Sequence, residues 1–330
     1  MRIRKRNIAI VLFLVATVFG GRLAWSMYPL SATGDQTVVK VVTGESLNEV
    51  ANDLARHHVL GSPLAFKIDM AIFGAPIIRP GLYVLKQNSP HGAIREAFSH
   101  GPNANVLYVT PGMTIRQTVL QMATIKSSSY TNEFAAEIEA QSHNNDFDAQ
   151  SLEGLLGTGA YVLGPAETPA VLVKQMKQRF LAQLRRVGLT PASTLHGLSA
   201  YELVTAASIV EKEGFYEKNM PQVARVILNR LHRGGGLQMD ATILYSLKKD
   251  GVKVTPGMLK IDTPYNSYLH PGLTPTPICQ VGSKALQSMV HPPAGNWFYF
   301  VVVDRSGTEA FSVSYKEHLA NIQLARSRGL

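Results

Sequence analysis

Residues 7–27 form an apolar run broken only by Arg22, and four of the first six residues, Arg2, Arg4, Lys5 and Arg6, are basic. About 20 apolar residues span a bilayer, and a basic flank stays on the cytoplasmic side. Arg22 can snorkel outward beside Trp25 and Tyr28. The pattern therefore predicts a cytoplasmic tail over 1–6 and an uncleaved, single-pass transmembrane anchor over 7–27 in the plasma (inner) membrane. Everything after it is then exported. The competing reading is a cleaved signal peptide, for which Ala24-Trp25-Ser26 has the small-x-small form. In both readings the rest of the chain is extracytoplasmic.

Beyond the anchor the periods are short. Thr37 to Val42 alternates and is rich in β-branched residues, which predicts a strand. Ser46 and Glu49 form a capping box, after which Leu47, Val50, Ala51 and Leu54 share one helical face. Pro80 to Leu85 predicts a second strand, with a helix from about His91 to Phe98. Asn105 to Val109 predicts a third strand, and Thr110-Pro111-Gly112-Met113-Thr114-Ile115 opens a helix that places Ile115, Val119 and Met122 together. Strand, Gly-x-Ser/Thr turn and helix in loose repetition is the arrangement of a small LysM-like α/β module, assigned to 36–104.

Residues 126–150 are polar and predict a surface connection with a helix near Asn132 to Gln141. Thr168 to Arg186 predicts a basic amphipathic helix with Val171, Leu172, Met176, Phe180, Leu181 and Leu184 inward. Its Lys/Arg face suits solvent, a glycan or a lipid surface. Ser199 and Glu202 form another capping box, and the following stretch to Val210 is apolar around nearly its whole circumference, as in a buried helix. Gly214 ends it. Met220 to His232 predicts a helix with Val223, Val226, Ile227 and Leu231 inward, broken by Gly234-Gly235-Gly236. Asp240 is placed to cap a helix running through Tyr245. Residues 263–278 are rich in proline and aromatics, and Asn296 to Val303 predicts a strand. The fold class is α+β: an N-terminal transmembrane helix, the small module, and a mixed α+β catalytic domain over 105–330.

The composition refines this picture. With 32 Lys+Arg against 23 Asp+Glu the net charge is +9, which favours anionic partners. No zinc finger, RNP-like strand or base-reading basic helix accompanies it, so nucleic acid is not expected as a partner. Cys279 is the only cysteine, which rules out an internal disulfide; it reads as a packed thiol. There is no His-Glu-x-x-His, no Gly-x-Ser-x-Gly and no nucleotide fingerprint, and Gly234-Gly235-Gly236 lacks the Lys-Ser/Thr of a phosphate loop. Neither a metal nor a cofactor is expected.

The chemistry concentrates where the buried helix runs into Glu211-Lys212-Glu213. Carboxylates at the C-terminal end of a buried helix face the negative end of its dipole and lose hydration; both effects raise a carboxyl pKa. A raised pKa suits a general acid working near neutral pH. Periodicity does not choose between Glu211 and Glu213, and the pair also reads as the solvated mouth of the helix with Lys212 balancing it.

Four segments in order, Ala207-Ser208-Ile209-Val210-Glu211-Lys212-Glu213, Val226-Ile227-Leu228-Asn229-Arg230-Leu231, Leu237-Gln238-Met239-Asp240-Ala241-Thr242 and Thr263-Pro264-Tyr265-Asn266-Ser267-Tyr268, resemble the successive motifs of the YceG-like endolytic murein transglycosylases. The resemblance covers roughly 195–320, and the anchor and front module also match that family. It implies a lytic transglycosylase that cleaves N-acetylmuramic acid–N-acetylglucosamine bonds of peptidoglycan and leaves 1,6-anhydro ends, with Glu213 as the catalytic acid. Such an enzyme would terminate nascent strands and have peptidoglycan synthases in the membrane as partners. Glu211, Gln238, Asp240, Tyr265 and Asn266 are candidates for substrate contacts or for positioning Glu213. The chain departs from the family where an aromatic-Pro-Asp-Thr-Tyr stretch would follow Glu153-Gly154, at Thr274-Pro275-Thr276, and at Glu309, where members often carry His. Two other classes fit the same residues: a non-catalytic peptidoglycan-binding scaffold and a water-using muramidase.

Overall fold

A computed structural model describes residue 32, residues 34–214 and residues 216–330 of the chain. The expected tail over 1–6 and anchor over 7–27 lie outside the described residues. Among the described residues no helix is long and apolar enough to cross a membrane. The chain divides into two compact units: the described residues up to Val106 together with Val162–Glu167, and Leu107–Tyr161 together with Thr168–Leu330.

The first unit is built in the order strand, helix, helix, strand, helix. β1 (Gln36–Val41) pairs antiparallel with β2 (Gly81–Lys86), placing Val39 opposite Tyr83. Between them lie α1 (Leu47–Arg56) and α2 (Pro63–Phe73), and α3 (His91–His100) follows. The Ser46–Glu49 capping box is present, with the Ser46 amide donating to Glu49 Oε2 at 2.8 Å. Ser62 caps α2 by accepting from Ala65 N at 3.2 Å, and Pro63 suits the first turn because no partner for its missing N–H is needed there. Alternation in the strands sends Val39, Val41, Tyr83 and Leu85 into one core with Val50, Leu54, Phe66, Met70, Ile94 and Phe98. Tyr83 and Phe98 meet edge to face at 4.9 Å, and Tyr83 donates its hydroxyl to Arg79 O.

The next strand, β3 (Asn105–Val109), pairs with β4 (Gly159–Leu163). Between them lie α4 (Ile115–Met122) and α5 (Ser128–Ser142). α5 starts earlier than the polar composition suggests, because Ser127 caps it. α6 (Pro169–Arg186) packs on α5 and buries Leu172, Met176, Phe180 and Leu184. Val171, expected inward, is 47% exposed. Part of the α6 basic face is engaged within the unit: Lys177 donates to Gln141 Oε1 and Asn144 O, and Arg179 to Ala160 O.

A minimal hairpin of β5 (Thr194–Leu195) and β6 (Leu198–Ser199) leads into α7 (Ala200–Glu213), whose residues from Leu203 to Val210 are all buried. α8 (Met220–His232) and α10 (Ser283–Val290) pack against α7 and against each other. The short α9 (Asp240–Ser246) lies between them in sequence. The chain closes with the antiparallel pair β7 (Tyr299–Val302) and β8 (Glu309–Ser312), covered by α11 (Tyr315–Ser327). β7 is shorter than the predicted strand over 296–303; β8, α10 and α11 were not expected from the periods.

Candidate active site

The four sequence motifs converge in the second unit, and each has a visible structural task. In α7, Ser208 Oγ accepts from Ile278 N at 2.9 Å, and Cys279 Sγ lies 3.3 Å from Ser208 O. This fixes segment 278–280 along the helix. In α8, Asn229 donates to Gly295 O and Trp297 O, while Arg230 donates to Phe298 O and Leu237 O. The third and fourth motifs bind each other: Ser267 O accepts from Gln238 N at 3.0 Å, Ser267 Oγ accepts from Met239 N at 3.0 Å, and Thr242 Oγ1 lies 2.8 Å from Ser267 Oγ. The motif residues thus form the frame that brings α9 to the end of α7.

At that junction Glu213 Oε1 accepts from Ala241 N, in the first turn of α9, at 3.1 Å. Burial pushes the Glu213 carboxyl up to about 7 and nearby Asp240 adds to the rise, while the Ala241 bond, Arg230 and Lys212 oppose it. Glu213 lines a cleft lobe of about 380 Å³ together with Lys212, Asp240, Ala241, Tyr245 and Thr114. A second lobe of about 430 Å³ is lined by Glu153, Arg116, Thr263, Tyr265 and, again, Tyr245 and Thr114. Asp250 belongs to both, and pairs with Arg116. Thr114, Tyr245 and Asp250 line both lobes, so the two adjoin.

Glu211 turns away from this cleft. Its Oε2 accepts from Gly282 N at 2.9 Å at the start of α10, and burial raises its pKa. Asp240 was expected to cap α9. It is instead the first helical residue, after Met239, and its Oδ1 accepts from Tyr268 Oη at 2.6 Å within the Glu213 lobe. Gln238 is exposed, with φ of 52°, and lines neither lobe. Tyr265 lines the second lobe, its ring 5.1 Å from that of Tyr245 and its hydroxyl 2.9 Å from Thr276 Oγ1. Asn266 is fully buried and holds its own loop, donating to Leu259 O and Ile261 O.

Sequence reasoning did not assign Glu153 to the site. Only 4% exposed, it accepts from Ile115 N, from Tyr245 Oη at 3.3 Å and from Gln280 Nε2 at 2.8 Å. Burial pushes it up to about 7 against all three bonds. Gln280 is itself held by Leu156 N at its Oε1 and by backbone bonds to Met113 and Gly112. The signal available was the Glu-Gly pair: Gly154 has φ of 77°, and a Cβ there would fall 2.4 Å from Pro277 Cβ, so only glycine lets the turn close. Glu309 is also buried and pushed up to about 7 by desolvation, with Asn219 opposing and Glu213 adding to the rise; its Oε2 has no hydrogen-bond partner among the described residues. The departure at 309 therefore falls within electrostatic reach of Glu213.

A half-buried, dipole-capped carboxyl that holds its proton to neutrality, set in a two-lobed cleft walled by tyrosines, has the layout of a general-acid site for a chain-like substrate. The YceG-like family profile matches residues 39–324, and the chain belongs to that family. Among its relatives is a protein of Bacillus subtilis (strain 168) named endolytic murein transglycosylase, 27% identical over 91% of this chain and 89% of the relative. A Streptococcus pneumoniae (D39) protein of the same name is 26% identical over 96% of this chain, which spans 64% of that longer relative. In fold, the chain resembles the crystal structure of a YceG-like protein of Listeria monocytogenes, with a TM-score of 0.55 and 23% identity, covering 87% of this chain and 99% of that one.

Proposed function

We propose that this chain is an endolytic lytic transglycosylase of peptidoglycan. The observation that carries the reading is Glu213, a proton-holding carboxyl in the cleft wall at the junction of α7 and α9. Protonated Glu213 donates to the glycosidic oxygen between N-acetylmuramic acid and N-acetylglucosamine, and the C1–O bond breaks. The muramic acid 6-hydroxyl oxygen bonds to C1, and its proton passes to the Glu213 carboxylate, which restores the acid. No water enters. The attacking hydroxyl is tethered to the reacting sugar, so proximity replaces a second carboxylate. Asp240, the acidic neighbour in the same lobe, is bonded to Tyr268 and raises the Glu213 pKa. The second lobe, walled by Tyr245 and Tyr265, suits a neighbouring sugar of the strand.

The first unit supports a LysM-like reading through its strand-helix-helix-strand order and its Gly44-Glu45-Ser46 turn. With the anchor over 7–27, the enzyme would act at the outer face of the plasma membrane, beside peptidoglycan synthases. Mass spectrometry of products from purified sacculi, digested in oxygen-18 water, tests the chemistry. Unlabelled 1,6-anhydromuramic ends are expected. Labelled reducing ends would assign a muramidase, and intact strands a scaffold. Sequencing the mature N-terminus tests the anchor: a start around residues 25–35 would replace it with a cleaved leader.

A further inference from the structure

α2 is apolar on two sides, and the core of its unit uses only one of them. Ala65, Phe66 and Met70 are buried, whereas Leu64, Ile68 and Ile72, spaced four apart on the other face, are 64%, 47% and 68% exposed. Phe73 and Ile77, at and beyond the helix end, are 66% and 85% exposed. A helix apolar all round belongs in a core or in contact with lipid, and contiguous exposed patches of this kind mark interaction surfaces. The ionisable groups of α2 do not oppose lipid. Asp69 is paired with Arg95 at 2.7 Å, and the Arg95 guanidinium in turn sits over the Phe73 ring. Lys67, within the helix, donates to Asn48 Oδ1 at 2.8 Å, and exposed Arg79 follows the helix; both are cations, which suits anionic headgroups.

The length of chain before the unit identifies the occupant. From Tyr28, at the outer edge of the predicted anchor, to Gln36, where β1 begins, is 8 residues. Fully extended they reach roughly 28 Å. A tether that short keeps the first unit at high effective concentration against the bilayer. We infer that the outward face of α2, with Phe73 and Ile77, lies in the headgroup region of the membrane and holds the first unit on it. This rests on the anchor proposed above.

The test uses the full chain. Cys279 is fully buried, so a cysteine introduced at the exposed Ile72→Cys position takes an environment-sensitive fluorophore alone, with the unaltered protein as blank. The labelled protein is reconstituted in vesicles of phosphatidylethanolamine and phosphatidylglycerol. Blue-shifted emission is expected, losing most of its intensity when the lipids carry bromine near the headgroup end of their acyl chains. Vesicle-bound protein with water-like emission would overturn the inference and leave the anchor intact. Blue-shifted emission that no brominated lipid quenches would mean a protein covers the face, a second copy included, and would also overturn it. Protein left in solution would remove the anchor and this inference with it.

Discussion

Tyr245 donates its hydroxyl to Glu153 Oε2 at 3.3 Å while its ring walls both lobes of the cleft, so one side chain joins the buried carboxyl of the second lobe to the lobe that holds Glu213. Burial and the neighbouring Glu153 both push the Tyr245 phenol upward. It remains a neutral donor throughout the working pH range.

Glu213→Gln keeps size and an acceptor for Ala241 N but cannot release a proton to the glycosidic oxygen. Turnover should fall by about 10²- to 10⁴-fold, the usual contribution of a general acid. The melting temperature should hold or rise. Glu211→Gln should retain turnover, because Glu211 bonds Gly282 N outside the cleft. Release of anhydromuropeptides, measured for both variants beside thermal melts, decides the assignment.

In the proposed mechanism Glu213 acts in its protonated form, and its pKa is pushed up to about 7. kcat/KM should therefore fall as pH rises through 7, approaching tenfold per unit. Asp240 raises that pKa and Lys212 lowers it. Asp240→Asn should move the alkaline limb to lower pH, and Lys212→Met should move it to higher pH. A pH–rate profile in which the two variants shift the same way would contradict the electrostatics described.

Glu153 affects stability in a defined window. In the unfolded chain it ionises near 4.5, and in the folded protein it keeps its proton to about 7. The native state binds the extra proton between those values, so stability is highest below 4.5, falls as pH rises to about 7, and is flat above. The span corresponds to roughly 3 kcal/mol at most. Denaturant melts across pH 4–8 should show this slope, and Glu153→Gln should flatten it in part, since Glu213 and Glu309 carry the same sign.

Gly154→Ala places a Cβ 2.4 Å from Pro277 Cβ at a backbone with φ of 77°. Left-handed strain and the clash together should destabilise the protein by ~3 kcal/mol. Since the same turn seats Glu153, activity should fall in the residual folded fraction. Calorimetry and specific activity of the soluble variant separate the two effects.

What was readable from sequence follows the physics of each element. The capping boxes at Ser46 and Ser199 and the nearly all-apolar Leu203–Val210 stretch are local signals, and they placed α1 and α7. α2 has no period to read, because its outward face is as apolar as its inward one. α10 and α11 sit behind weak patterns and owe their stability to packing on α7, α8 and the β7–β8 pair. In the site, Glu213 was legible as a carboxyl at the end of a buried helix, whereas Glu153 was not. Its burial depends on Ile115, Tyr245 and Gln280, none of them near it in sequence. Asp240 was misread as a cap because a helix-start signal looks the same whether the aspartate bonds the backbone or, as here, a tyrosine hydroxyl.

The bond from Gln280 to Glu153 closes a loop of 127 residues, and the one from Ile278 to Ser208 closes a loop of 70. Closing loops of such length costs conformational entropy that the rest of the core must offset. The cleft is therefore complete only when both loops are closed. A chain emerging N-terminus first has α7 and Glu213 well before segment 278–280 arrives to steady the walls around them. A copy that stops short of residue 278 lacks the bonds from Ile278 to Ser208 and from Gln280 to Glu153 that brace the cleft, so the braced cleft exists only in a chain made past that point.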